Sequence, residues 1–192
     1  MAEFTIRPYG DPVLRAVGEP VREFGPPLRT LGDAMLRAMK AAKGIGLAAP
    51  QVGLSLQLFV MDVHDEDFPP VLDGKERKPE DIMPMLLANA TVTIPPGEPD
   101  TYTEGCLSFP GITGDVERVE RAIVRYRDAD GAPHVLECAG LLARCVQHEH
   151  DHCQGVLFID CMSRAHQLLT ATKVKKLKRA TVAELKAARK GD

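Results

Sequence analysis

The residues His148-Glu149-His150-Asp151-His152 decide how the rest of this 192-residue chain is interpreted. They fit the pattern H-E-x-x-H, in which two histidines four positions apart lie on one face of an α-helix. Both imidazoles can then reach one metal ion, and the glutamate between them can take a proton from an attacking water. The apolar residues that a buried helix requires around the motif are Leu141, Leu142, Ala143, Val146, Leu157 and Phe158.

A catalytic metal site of this kind usually has three protein ligands, so the sequence must supply a third. The pattern H-x-x-G-x-x-H fails because Phe158 occupies the position of its last histidine. No glutamate follows the motif before Glu184, which belongs to a charged tail, and Asp160 has no supporting motif. Cys145 lies three residues before His148. Together with the two histidines it would span about 10 Å of a straight helix, too far to converge on one ion.

Cys106 is a further candidate, and it lies in the segment Glu104-Gly105-Cys106-Leu107-Ser108. The glycine before it permits a close approach of the backbone, and the Leu107 N–H would point towards whatever Cys106 binds. A thiolate from this second element would complete a Cys-His-His set with the helix. On the residues alone, the alternative stays open that Cys106 is a buried loop thiol, as the other cysteines can be.

Three motifs together resemble the peptide deformylase family. They are Gly44-Ile45-Gly46-Leu47-Ala48-Ala49-Pro50-Gln51, the segment around Cys106, and Gln147 with the H-E-x-x-H residues, in the order of the family. The resemblance runs from about residue 12 to residue 162, most of the chain. It implies an α+β fold in which antiparallel strands pack around a central helix that carries the H-E-x-x-H motif.

The resemblance also implies a reaction, the hydrolysis of the N-formyl group from the initiator methionine of nascent proteins with release of formate. Cys106, His148 and His152 would be the metal ligands, and Glu149 would be the general base. The implied ion is Fe²⁺ in the cell. The Cys-His-His set by itself also admits Zn²⁺, Ni²⁺ and Co²⁺.

The other motif residues take their implied roles from the same resemblance. Gln51 and the Leu107 backbone N–H would form the oxyanion site, where negative charge develops on the formyl oxygen. Gly46 would contact the substrate backbone. Arg118 lies where the family pairs an arginine with the glutamate that corresponds to Glu104.

Selectivity for methionine requires an apolar pocket, because the formyl group itself is small. Leu141, Cys145 and His148 line one face of the motif helix, and Ile45 can complete the wall. An unbranched thioether suits such a slot. The alternative is that Leu141 and Cys145 only pack in the core.

The remaining sequence predicts the elements around these motifs. The helical spacing of apolar residues after Pro26-Pro27 predicts a helix that ends near Gly44. Strands are predicted at residues 56–63, 85–94, 122–127 and 134–138. The last two flank the hairpin signal Asp130-Gly131. The segment 64–84, rich in proline and charge, is predicted to be an exposed excursion and is long for compact members of the family.

The C-terminal segment differs from the rest of the chain in charge. From Arg164 onward it has nine Lys or Arg and two acids, whereas the whole chain has a formal charge of −3. We expect residues 1–162 to form a catalytic metallohydrolase domain and residues 163–192 to be a basic, helical C-terminal extension of it. The cations in residues 173–179 indicate the ribosome as a partner, through its RNA phosphates. A solvated helix face is the alternative.

Composition is that of an ordinary soluble protein, with 44% hydrophobic and 27% charged residues. Five cysteines cannot form a complete disulfide set, and no apolar run is long enough to span a membrane, so the expected location is cytoplasmic. Two rival functions remain, a general metallopeptidase and a binding module with a structural metal. The missing downstream ligand disfavours the first, and Glu149 disfavours the second, because structural sites do not need such a base.

Overall fold

The structure, a computed structural model, describes residues 4–191. Its helices are α1 (Pro26–Ala41), α2 (Pro79–Ile82), α3 (Gly140–Cys153), α4 (Phe158–Cys161) and α5 (Arg164–Gly191). Its strands are β1 (Gly46–Ala48), β2 (Leu58–Met61), β3 (Val71–Leu72), β4 (Lys75–Glu76), β5 (Met85–Thr93), β6 (Pro99–Gly105), β7 (Thr113–Val119), β8 (Arg121–Arg127) and β9 (Pro133–Ala139). Short 3-10 turns lie at Pro12–Arg15 and Ala49–Val52.

Seven strands form one antiparallel sheet in the order β1-β2-β5-β8-β9-β3-β4, and β6 pairs with β7 in a separate hairpin. Strand β2 is buried on both faces. Neighbouring side chains of a strand point to opposite sides, so its residues reach two different apolar clusters. Phe59 and Met61 pack in the cluster that contains α3, whereas Leu58 and Val60 pack in the cluster that contains α1. The motif helix α3 therefore lies centrally in an α+β fold, as the sequence predicted.

The predicted elements are found with small shifts of their ends. Helix α1 ends at Ala41, and Lys43 then takes a positive φ of 58° before the motif that begins at Gly44. The segment 64–84 is more ordered than predicted, because it contains β3, β4 and α2. Strand β3 extends the sheet beside β9, where Val71 pairs with Glu137.

The hairpin of β6 and β7 is an element that the sequence did not reveal. In β6 only Glu104 is buried, so the strand has no alternation of apolar and polar residues to mark it. Strand β7 does alternate, with Val116 and Arg118 among its buried residues. This hairpin brings Glu104 and Cys106 towards α3.

Helix α5 packs against the rest of the chain through a few residues. Val174 and Leu177 lie against a third apolar cluster that includes Leu14 and Phe158, and Thr181 is buried. Positions 1–3 and 192, at the outer ends of the predicted domain and of its extension, lie outside the described residues. None of the described helices combines the length and apolar character needed to cross a lipid bilayer.

Candidate active site

Three side chains from two elements converge beside α3. Cys106 follows directly after β6, and His148 and His152 lie one turn apart on the helix, so that the potential ligand atoms of all three lie within 4.8 Å of one another. The distance from Cys106 Sγ to His152 Nε2 is 3.2 Å. Burial lowers the pKa of His152 well below its usual value, which keeps the ring uncharged and able to donate an electron pair. One thiol and two imidazoles fit a divalent ion with an open position.

The ring of His148 is oriented by the hairpin. Its Nδ1 lies 3.0 Å from Glu104 Oε2, and Glu104 also accepts hydrogen bonds from Arg118 Nε at 2.7 Å and Arg144 Nη1 at 3.0 Å. Burial would raise the pKa of Glu104, but the hydrogen bonds from His148 and Arg118 lower it to about 2. Glu104 is therefore ionised and accepts a hydrogen bond from His148 Nδ1, which fixes the orientation of the ring. Burial opposes the charged form of His148, but its hydrogen bonds with Cys106 and Glu104 raise its pKa well above the usual value, so a metal at Nε2 would displace a proton.

Glu149 lies beside this cluster without a polar partner for one of its oxygens. Its side chain is buried, and Oε2 has no hydrogen bond within the described part of the chain. Burial raises the pKa of Glu149 to about 7. Gly46 is required next to it, because a Cβ at this position would lie 2.5 Å from Glu149 Oε1 and 2.8 Å from Cys145 Sγ.

Gln51 directs its amide nitrogen towards the same centre. Its Oε1 accepts a hydrogen bond from the Ala48 N–H at 2.9 Å, which fixes the orientation of the amide. Its Nε2 then lies 3.5 Å from Cys106 Sγ and 3.3 Å from Ser108 Oγ. Leu107 lies between these two residues in sequence and lines the same cavity. The structure thus brings the two residues that the sequence indicated for an oxyanion site to one place.

Comparison with known proteins agrees with this geometry. A family model described as polypeptide deformylase matches residues 4–168, which include every residue of the site described in this section. The chain belongs to the peptide deformylase family. A peptide deformylase of Opitutus terrae is 48% identical over 182 residues, 93% of this chain and 94% of that protein.

Solved peptide deformylases also share the fold. The enzyme from Thermus thermophilus superposes with a TM-score of 0.78 at 36% identity and covers 93% of this chain and 99% of its own. An inhibitor complex of Arabidopsis thaliana peptide deformylase 1B gives a TM-score of 0.81 at 33% identity, over 95% of this chain and 93% of its own. The expected fold and family are confirmed.

Membership of the deformylase family establishes the class of reaction. The chain is a hydrolase that removes the N-formyl group from the initiator methionine of nascent proteins and releases formate. Its substrates are formylmethionyl nascent peptides, and it is a metalloenzyme as its family is. The family therefore favours deformylation over the general metallopeptidase and the structural metal module that the sequence had left open.

A cavity of about 780 Å³ opens onto this deformylase centre. The residues named from the sequence as substrate-binding all line it: Ile45, Gly46, Leu141, Cys145 and His148. Two residues that the sequence did not indicate, Tyr102 and Arg144, line it as well. The Arg144 guanidinium lies 5.3 Å from the centre of the Tyr102 ring, within the range of a cation–π contact.

Residues 7–9, here called the N-terminal arm, contact two loops of the deformylase centre, and the sequence did not reveal these contacts. The Arg7 N–H donates to the Gln51 carbonyl oxygen at 2.7 Å, and the Tyr9 N–H donates to the Ser108 carbonyl oxygen at 2.8 Å. The arm thus connects the loop that carries Gln51 with the loop that follows Cys106. Backbone hydrogen bonds of this kind leave no periodic signal in the sequence.

Proposed function

We propose that Cys106, His148 and His152 hold the metal ion of this deformylase and that Glu149 is its general base. The convergence of the three ligand atoms within 4.8 Å carries this proposal. When bound, the metal supplies Lewis-acid chemistry, which acidifies water and polarises a carbonyl oxygen. For the ion in the cell we propose Fe²⁺, by the family resemblance; Zn²⁺, Ni²⁺ and Co²⁺ also suit one thiolate and two imidazoles.

Glu149 moves the protons of the reaction. Its Oε2 is buried without a hydrogen-bond partner among the described residues, so it is available to accept a proton from the attacking water. As the bond between the formyl carbon and the nitrogen breaks, the same carboxyl group returns the proton to the departing amine. Formate and a free amino terminus are the products.

Gln51 and Leu107 stabilise the negative charge that develops on the formyl oxygen. Gln51 Nε2 is directed to the centre because its own oxygen is held by the Ala48 N–H, and the Leu107 N–H would be the second donor. One such donor is typically worth about 3–4 kcal/mol in the transition state. Gly46 contacts the substrate backbone, a role implied by the family resemblance, and it lines the cavity beside Glu149, where a Cβ would lie 2.5 Å from Oε1.

The cavity beside the centre receives the methionine side chain. Ile45 and Leu141 are only partly buried, at 43% and 38% exposure, so their apolar surface is available to a ligand. Cys145 and His148 continue the same wall along α3. Burial of a thioether against such a surface is favourable, and its flexible chain adapts to the shape.

One experiment tests this assignment. The protein is purified without oxygen, its metal is determined, and formate release from formyl-Met-Ala-Ser is compared with cleavage of the unformylated peptide. Bound Fe²⁺ together with release of formate from the formylated peptide alone is the expected result. Cleavage of internal peptide bonds would instead favour a metallopeptidase, and bound zinc in a fully active enzyme would replace Fe²⁺ in the proposal.

We further propose that residues 1–162 are the catalytic domain, and that residues 163–192 are a basic extension that docks on the ribosome. The cations at 173, 175, 176, 178 and 179 are all exposed on α5. Val174 and Leu177 of the same turns pack on the catalytic part, which presents the cations outward. Such a cationic face suits the phosphate backbone of ribosomal RNA. A cytoplasmic location fits both this partner and the five free cysteines.

A further inference from the structure

The N-cap residue of α3, the helix that carries the proposed metal ligands, makes no side-chain hydrogen bond to the helix. Helix α3 begins at Gly140, and the preceding residue, Ala139, has a methyl side chain that accepts no hydrogen bond. The first N–H groups of a helix lack partners within the helix. Asp65 satisfies one of them, because its Oδ2 accepts a hydrogen bond from the Leu141 N–H at 3.0 Å. The cap of α3 therefore comes from the excursion between β2 and β5.

The contact between the excursion and the helix start is close. Gly140 has a positive φ of 58°, and a Cβ there would lie 2.7 Å from Asp65 Oδ2 and 2.5 Å from Phe68 Cδ2. The other carboxylate oxygen of Asp65 accepts the Asp67 N–H at 3.3 Å, which orders the turn of the excursion itself. The Asp65 carboxylate therefore accepts one hydrogen bond from its own turn and one from the first turn of α3.

Asp62, just before the excursion, contacts a second residue that lines the cavity. The Asp62 N–H donates to the Ile45 carbonyl oxygen at 2.8 Å. The Asp62 carboxylate is fixed in turn by Lys40 Nζ at 2.8 Å and His64 Nε2 at 3.0 Å. Ile45 and Leu141 both line the cavity, so residues 62–65 contact two residues of its lining.

We propose that Asp65 is a positioning residue that sets the width of the methionine pocket by holding Leu141 at a fixed separation from Ile45. The inference rests on the proposed role of these two residues as pocket walls. Leu141 precedes His148 by seven residues, about 10 Å along the helix axis. A loosened first turn therefore widens the pocket while the metal ligands stay in place. A carboxylate at this end of α3 is also favoured by the helix dipole.

The test measures selectivity in the intact metal-loaded enzyme. Steady-state constants are determined for formyl-Met-Ala-Ser and formyl-Phe-Ala-Ser, and metal content is measured for each variant. Asp65→Ala is expected to raise KM for the methionine substrate and to lower the preference for methionine over phenylalanine, each about fivefold, the equilibrium factor typical of a lost cap. Its kcat for the methionine substrate and its metal content stay within twofold of the wild type.

Two matched variants separate positioning from general effects. Asp65→Asn keeps an oxygen that can accept from Leu141 and is expected to restore most of the preference. Asp67→Ala removes the same charge from the same turn, but the Asp67 side chain has no hydrogen bond to α3 among the described contacts, so wild-type selectivity is expected.

The possible results separate the role of Asp65 from the assignment of Ile45 and Leu141 to the methionine pocket. An unchanged preference in Asp65→Ala, or an equal loss in Asp67→Ala, would overturn the role of Asp65 while leaving the pocket walls intact. A wild-type enzyme that does not distinguish the two substrates would remove the pocket assignment and the inference together.

Discussion

His148 Nδ1 lies 3.0 Å from Glu104 Oε2, and this hydrogen bond joins the motif helix to the hairpin of β6 and β7. Glu104 is buried, and the guanidinium groups of Arg118 and Arg144 both bind its Oε1. One carboxylate thus orients a proposed metal ligand and pairs with two buried guanidinium groups, of which Arg118 also pairs with Asp151 at 2.9 Å. The metal centre and the stability of the fold therefore depend on the same side chain.

We expect Glu104→Gln to weaken both properties. The amide oxygen can still accept from His148, but the negative charge beside Arg118 and Arg144 is lost. Arg118 keeps Asp151 at 2.9 Å. Among the described acids, Arg144 keeps only the exposed Asp100 at 3.6 Å, and breaking a buried ion pair costs about 3 kcal/mol or more. Loss of such an outer partner also lowers metal affinity by about 10-fold to 100-fold. Denaturant unfolding and a metal competition assay measure the two effects. The control is Glu117→Gln, on the exposed side of β7, which we expect to behave as wild type.

Glu149→Gln tests the general base. The three proposed ligands are untouched, so the variant is expected to retain its metal, while formate release falls by at least about 100-fold because the proton acceptor is gone. Metal analysis and turnover of formyl-Met-Ala-Ser are measured on the same preparation. Near-normal turnover in a fully metal-loaded sample would remove Glu149 from this role.

Cys106 and Cys145 offer a matched pair for the third ligand. Cys106 Sγ lies 3.2 Å from His152 Nε2, whereas Cys145 Sγ donates to the Ile45 carbonyl oxygen at 3.8 Å. Under mild chelation, Cys106→Ala is expected to lose its metal and Cys145→Ala to retain it, as followed by metal analysis after gel filtration. The opposite pattern would exchange the two assignments.

A pH dependence of stability is expected from His134, far from the metal centre. The Asp73 carboxylate at 2.7 Å, followed by Asp128 at 3.3 Å, raises the pKa of His134 in the folded protein above its usual value. The stabilisation is therefore complete below the pKa of His134 in the unfolded chain, about 6.5, and it is lost as pH rises through the higher pKa of the folded protein. The centre of the Tyr126 ring lies 5.4 Å from the centre of the His134 ring, so this aromatic ring packs beside the imidazole.

His134→Gln is expected to remove this dependence. The difference in the free energy of unfolding between wild type and variant is measured at pH 5.5 and at pH 9, and we expect it to be larger at the lower pH. Taking the difference cancels the contribution of groups at the metal centre, which both proteins share. A difference that is constant with pH would contradict the prediction.

Ribosome binding by α5 is tested by changing charge without removing the helix. Deletion would also remove Val174 and Leu177, which pack on the catalytic part, so the exposed Lys173, Lys175 and Lys176 are replaced together by Gln. Co-sedimentation with ribosomes at low salt is expected to fall, and turnover of a short peptide to stay within twofold. Binding that the triple variant retains in full would count against the proposal.

The matched control removes three cations from another surface. Lys75, Arg77 and Lys78 lie exposed on the excursion, away from α5, and are likewise replaced by Gln. Co-sedimentation is expected to be unchanged, because the loss of three charges by itself does not remove the cationic face of α5. Equal loss in both triple variants would indicate a general effect of net charge.

The sequence predicted the parts of the site that depend on local spacing. Two histidines four apart on a helix have one geometry, so His148 and His152 were expected to lie together. Cys106 was harder to assign to the site, because it lies 42 positions before His148 and only its family motif identified it. The structure brings it to the cluster as expected.

Contacts over long sequence separations could not be predicted in the same way. Arg144 is a charged residue in the buried part of a helix, and its partner Glu104 lies in a strand whose other residues are exposed, so neither position follows a periodic pattern. Asp65 is one acid among many in its segment, and only the path of the excursion brings it to Leu141. These pairings depend on how elements pack rather than on periodicity.

The N-terminal arm has a consequence for when the enzyme becomes active during its own synthesis. Arg7 and Tyr9 are made before the loops of Gln51 and Ser108 that their backbone binds, and the helix that carries His152 is made after both loops. Chains fold as they leave the ribosome, in the order of synthesis. A copy in which His152 has not yet emerged thus lacks a working centre, so the deformylation of other emerging chains depends on copies that have passed this stage.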